Sequence, residues 1–166
     1  MVATAGSAER RVVLADLSAT EALAARLAAV AQPGDVIALS GVLGAGKTAF
    51  ARAFVAACAI ARGLPADEVP SPTFTLVQSY AFDDLTVHHF DLYRLQCPDE
   101  AWELGIEDAF ADGVCLIEWP DRLGALLPAE RLDIELLPGA MENVRIVRLT
   151  PHGGWVARVA ETLGDG

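Results

Sequence analysis

Eight consecutive residues, Gly41-Val42-Leu43-Gly44-Ala45-Gly46-Lys47-Thr48, set three glycines, an ammonium and a hydroxyl at a spacing suited to holding a polyphosphate. Such an anion needs successive backbone amides turned towards it, and glycines let a loop take that shape and come close. The candidate donors are the backbone of Gly41, Gly44, Ala45 and Gly46 and the helix start through Lys47, Thr48 and Ala49, whose positive end would point at the phosphates. Lys47 would set a point charge on the β and γ phosphates, and the Thr48 hydroxyl would enter the shell of Mg²⁺. Chance would give so fixed a pattern in a chain this long on the order of 1% of the time or less. Lys47 is also the only lysine among twelve basic residues. A chain that uses arginine everywhere else and lysine here calls for a compact ammonium rather than a planar fork.

A loop of this kind needs a carboxylate from a neighbouring strand end. Glu118 ends the apolar run Val114-Cys115-Leu116-Ile117 and is the first candidate. It could bind the metal directly, act through a water, or orient the attacking water; the bland alternative is a cap for the next helical turn. Asp91 is the second candidate. It follows the run at 85–90, whose alternation puts Val87, His89 and Asp91 on one side; otherwise it merely ends a strand, paired with Arg94. His88 and His89 have no metal-ligand spacing partner, and a structural role suits at least His88.

The elements that must position these residues follow from patterning. Val12-Val13-Leu14 reads as a strand, and Ser18-Ala19-Thr20-Glu21 as a capping box opening a helix to about Ala31. Residues 36–39 form an unbroken apolar run, the kind buried in a parallel sheet, directly before the glycine-rich loop. The helix after the loop spaces Phe50, Phe54, Cys58 and Ala61 along one face. Residues 75–80 and 85–90 flank Phe82-Asp83-Asp84 as an antiparallel hairpin. Asp99 can cap a short helix with Trp102, Ile106 and Phe110 on one side and Gly105 dividing it. Residues 114–117 form a second buried strand. Residues 132–136 alternate and pair with 144–149, with Arg145 or Arg148 opposite Asp133 or Glu135. A helix over 155–163 closes the chain. The pattern is one three-layer α/β domain over residues 1–166 with a mixed, partly antiparallel sheet, and residues 1–10 or so outside its ordered part.

Charge and composition narrow the partners. A net charge of −11 repels nucleic-acid backbones, so unaided strong binding to them is not expected, and proteins with basic faces suit the surface better. Cys58, Cys97 and Cys115 lie far apart, as buried thiols of a reducing cytosol would. No stretch has the length of a membrane span or signal peptide, so the expectation is a cytoplasmic protein without membrane contact. One lysine and one asparagine cannot supply the N-K-x-D motif that usually accompanies guanine specificity, which favours adenine as the base.

Four stretches in register carry a resemblance: Gly41 to Thr48 as written above, Ser71-Pro72-Thr73-Phe74-Thr75-Leu76-Val77, His89-Phe90-Asp91-Leu92-Tyr93-Arg94, and Leu116-Ile117-Glu118-Trp119-Pro120, with Glu103-Leu104-Gly105 between the last two. Over residues 12–149 the chain resembles the bacterial TsaE (YjeE) family, the ATPase component of the machinery that makes threonylcarbamoyladenosine in tRNA. The resemblance implies a P-loop NTPase-like fold, Mg-ATP as cofactor, slow hydrolysis until a partner completes the site, and partners of the TsaB and TsaD kind. It implies Lys47 and Thr48 on phosphate and metal, Glu118 as the Walker B-type acid and Asp91 as a metal-side carboxylate. Residues 71–75 would be a switch-like loop near the γ-phosphate, with Thr73 its hydroxyl, and Trp119 would lie beside the nucleotide. Apart from the resemblance, Pro70 and Pro72 suit a loop leading into a strand, and Trp119 suits core packing. Val42 stands where the family commonly has aspartate and Ala49 where a hydroxyl often follows; backbone amides hold the phosphates, so binding should survive. Two outputs remain open: ATP hydrolysis, or a nucleotide-gated binding module whose product is assembly. A small-molecule phosphotransferase fits less well, since no acceptor motif is evident.

Overall fold

The computed structural model describes residues 8–65 and 76–164. In chain order these form β1 (Arg10–Leu14), α1 (Leu17–Ala28), β2 (Val36–Ser40), α2 (Lys47–Ala61), β3 (Val77–Ala81), β4 (Thr86–Asp91), α3 (Glu100–Glu103), α4 (Ile106–Asp112), β5 (Val114–Glu118), a 3₁₀ segment (Pro120–Leu126), β6 (Leu132–Pro138), β7 (Arg145–Pro151) and α5 (Trp155–Leu163). The strands make one sheet in the order β1-β7-β6-β2-β5-β4-β3. Its centre is parallel, with β2 between β5 and β6 and β4 beside β5. The β1–β7, β6–β7 and β3–β4 pairs are antiparallel. This is the mixed three-layer α/β architecture that the patterning predicts, and the P-loop NTPase-like fold that the resemblance implies.

Why β2 and β5 are apolar up to their last residues, Ser40 and Glu118, follows from their place. Both are central and covered on both faces, and every residue of β5 is buried. On one face Leu23 and Leu27 of α1, Phe50 and Phe54 of α2 and Trp155 of α5 pack over Ile37, Leu39 and Leu116. On the other, Ile106, Ala109 and Leu123 pack over Val36, Phe90, Cys115 and Ile117. Fully burying a side chain of Leu or Phe size stabilises by roughly 1.5–3 kcal/mol, so these two layers hold the strand ends in place. The carboxyl ends of β2, β4 and β5 lie side by side, the usual ligand crevice of such sheets.

Several local expectations are corrected. Asp16 caps α1, accepting the Ala19 amide at 2.9 Å, where a Ser18–Glu21 box was expected; the helix ends at Ala28 rather than near Ala31. Ala61 is exposed at the end of α2, although Phe50, Phe54 and Cys58 are buried as their spacing implies. Asp99 precedes α3 without a side-chain cap bond. Gly105, at φ +74°, divides α3 from α4, so the helical period does not carry across it: Ile106 is buried and Trp102 exposed. Arg148 does pair across the sheet with Glu135. Burial pushes the Cys58 thiol up and that of Cys115 to about 12, whereas Cys97 is exposed. No helix among the described residues is long and apolar enough to cross a membrane.

Candidate active site

Gly41 leaves β2 at φ +142°, and a Cβ there would lie 2.6 Å from the Leu136 carbonyl oxygen of β6. Only glycine lets the loop pass so near that backbone. Gly46, at φ +107°, is the N-cap of α2, and no side chain caps that helix, so its first-turn amides keep their donors for another acceptor. The helix ladder begins with the Phe50 amide donating to the Gly46 carbonyl at 2.9 Å. Lys47 is only 5% exposed. Its Nζ donates to the carbonyls of Gly41 at 2.5 Å and Val42 at 3.1 Å, and it sits 3.9 Å from the centroid of the Trp119 ring. Burial pushes the ammonium's pKa down, while Glu118, Asp91 and Asp121 pull it up.

The carboxylates arrive by sheet register. Parallel pairing of β4 with β5 sets Asp91 against Glu118 at the ends of adjacent strands. Glu118 is 3% exposed and its oxygens accept the Thr48 hydroxyl at 2.8 and 3.0 Å. Asp91 is half-buried and accepts the Tyr93 amide at 3.2 Å. Burial raises its pKa, the Tyr93 amide opposes this, and the charge of Glu118 adds to the rise. Trp119 follows β5 with φ 60° and ψ 54°, a left-handed conformation uncommon for a bulky residue. Its ring meets Tyr93 at 4.9 Å between centroids. Lys47, Thr48, Asp91, Tyr93, Glu118 and Trp119 thus line one cavity of about 260 Å³.

Its donors are hard oxygens, which suit a small divalent cation. Among the described residues no group of three or more His, Cys, Asp or Glu could hold a metal by itself. A Mg²⁺ does not require one, since it is usually bound through one or two carboxylates together with substrate oxygens and water.

The structure therefore gathers Gly41, Gly44, Ala45, Gly46, Lys47, Thr48 and Ala49 into one loop and helix start, and brings Asp91, Glu118 and Trp119 beside it. Thr73 and the rest of the 71–75 loop lie outside the described residues. Two features were missed from the sequence. His89 is wholly buried, with Nε2 2.6 Å from Glu118 Oε2; its place two residues before Asp91 on one strand face was the available signal. A second cavity of about 400 Å³ flanks Ala45, Gly46 and Ala49 and is lined by Asp16, Thr20, Asn143 and Arg145. Arg145 donates from Nε to the Ala45 carbonyl at 3.1 Å. No local pattern announces it, because its walls come from the start of α1 and the β6–β7 connection.

Residues 14–146 match the family model described as "Threonylcarbamoyl adenosine biosynthesis protein TsaE". The chain is 39% identical over 145 residues to the "tRNA threonylcarbamoyladenosine biosynthesis protein TsaE" of Bacillus subtilis, covering 87% of each protein. It is 38% identical over 117 residues to the protein of the same name in Rickettsia felis, covering 70% of this chain and 66% of that one. The crystal structure of YdiB of Bacillus subtilis superposes with a TM-score of 0.73 at 32% identity, over 93% of both chains.

Proposed function

Since this chain belongs to the TsaE family, we propose that it binds Mg-ATP at its glycine-rich loop and hydrolyses it in support of a tRNA threonylcarbamoyladenosine-modifying complex. The observation that carries this reading is the convergence of Lys47, Thr48, Asp91 and Glu118 on one cavity at the uncapped start of α2. On this reading the loop amides and the helix start bind the triphosphate. Lys47 exchanges its contacts with the Gly41 and Val42 carbonyls for phosphate oxygens. Thr48 and the carboxylates of Asp91 and Glu118 would hold Mg²⁺, which when bound neutralises charge on the phosphates. Water bonds to the γ-phosphorus as the bond from that phosphorus to the bridging oxygen breaks, giving ADP, inorganic phosphate and a proton released to solvent. The second cavity, on the far flank of Ala45 and Gly46, takes the nucleoside. The molecule is a single domain acting in the cytoplasm.

Partners of the TsaB and TsaD kind fit the surface. Val42 and Leu43 at the tip of the loop are 63% and 67% exposed, and Tyr93 at the cavity rim 44%. Apolar groups around a charged cavity suit a protein that covers it. The net charge of −11 favours gripping a protein complex over gripping tRNA directly. Phosphate release, measured with and without TsaB- and TsaD-like proteins, is expected to need magnesium, to rise with the partners and to fall by about tenfold or more in Thr48→Ala. No turnover in either condition sinks the ATPase. Partner assembly supported equally by a non-hydrolysable analogue would favour the nucleotide-gated binding module instead.

A further inference from the structure

β4 carries a buried polar side chain that the mechanism above does not use. His89 has no exposed surface, and its Nε2 lies 2.6 Å from Oε2 of Glu118. We propose that His89 is the positioning residue of the site, pinning the Glu118 carboxylate so that it holds Thr48 in place. The proposal rests on the reading of Glu118 as the acid that works with Thr48.

The direction of the bond follows from the donor inventory. An ionised carboxylate only accepts, and Glu118 already accepts the Thr48 hydroxyl on both oxygens. The imidazole must therefore donate its Nε2 proton. Among the described residues Nδ1 has no hydrogen-bond partner. A neutral ring with its proton on Nδ1 would turn a lone pair towards the carboxylate, whereas the Nε2–H tautomer donates to it. The geometry selects that single tautomer.

Register explains how the two side chains meet. His89 stands opposite Leu116, two residues before Glu118 on the neighbouring strand, so it reaches the carboxylate diagonally across the sheet. An apolar residue would fill this position without leaving a nitrogen unpaired. What the imidazole adds is a donor fixed to a rigid central strand. Without it, Oε2 loses its anchor, and the carboxylate that orients Thr48 can turn about its terminal bond. Outer contacts of this kind set how well an inner ligand is held.

Three variants of the full chain separate positioning from packing. A glutamine amide nitrogen can stand where Nε2 stands; an asparagine nitrogen falls nearer Nδ1; leucine has neither. With magnesium and the partner proteins present, His89→Leu and His89→Asn should lower kcat by about tenfold or more with KM within about threefold, and His89→Gln should recover kcat to within about threefold of the parent chain. Unchanged kcat in His89→Leu overturns the proposal, and so does equal impairment of the glutamine variant. Should the leucine variant fail to fold, the glutamine–asparagine contrast still decides. A second readout uses nucleotide-free protein with ¹⁵N-labelled histidine: a hydrogen-bonded Nε2 proton is expected, and Glu118→Ala should abolish its downfield shift. A proton on Nδ1, or a signal indifferent to Glu118→Ala, overturns the assignment. A parent chain without ATP turnover would sink the wider reading, whereas turnover with a normal leucine variant would sink this inference alone.

Discussion

Two carboxylates at the ends of adjacent strands set the electrostatics of the site. Asp91 and Glu118 are paired across β4 and β5, and burial together with the neighbouring charge raises the pKa of Asp91. The ionised form is thus less stable in the folded protein than in the unfolded chain. The penalty is absent below the ordinary carboxylate range, develops as pH rises through the raised pKa, and is complete above it. Asp91→Asn should therefore stabilise the nucleotide-free protein at neutral pH by on the order of 1 kcal/mol or less after solvent screening, read as a higher thermal midpoint. The difference should vanish in acid, which a series of thermal melts against pH would check. The same substitution should lower magnesium-dependent turnover, the pattern of a residue kept for function at a cost in stability.

Elements reach the site through their ends, so caps and junctions matter more than helix interiors. Asp16 accepts the Ala19 amide and adopts extended backbone angles at the start of α1, while Ser18 lies inside the helix. Asp16→Ala should cost about 1 kcal/mol in urea unfolding of nucleotide-free protein, and Ser18→Ala no more than about 0.5 kcal/mol. The reverse order would restore the Ser18–Glu21 box. Both serine and aspartate are good caps, and only the backbone conformation at the junction after β1 chooses between them. A similar ambiguity explains Trp102: its spacing from Ile106 is helical, but the left-handed turn at Gly105 rotates the two short helices apart.

Across the whole molecule, β2 joins two dissimilar ends. At its carboxyl end lies the glycine-rich loop; at its amino end Asp35 is gripped by Arg158 of α5 through bonds of 2.6 and 2.7 Å. Arg158 also donates to the Val30 carbonyl at 3.0 Å and stacks 4.0 Å over Trp155. This ties α5 to the central strand from the side away from the loop. Arg158→Ala leaves the buried Asp35 carboxylate with the Gln32 amide but no counter-charge and should cost about 2–3 kcal/mol in denaturant unfolding. ATP affinity measured by calorimetry on the folded variant should stay near that of the parent chain.

By itself the sequence determined whatever depends on near neighbours along the chain. The loop is legible because its glycines, Lys47 and Thr48 are contiguous and stand between an apolar strand and a helix. Glu118 and Asp91 could be nominated because each ends a strand. Tertiary structure alone decided that these two acids stand side by side, that His89 anchors Glu118 from 29 residues away, and that Trp119 lies over Lys47. It alone formed the second cavity from Asp16, Asn143 and Arg145. The reason is geometric: bond rotations fix what residues a few positions apart can do, whereas contacts between distant segments depend on sheet register and layer packing, which form only when the whole core closes.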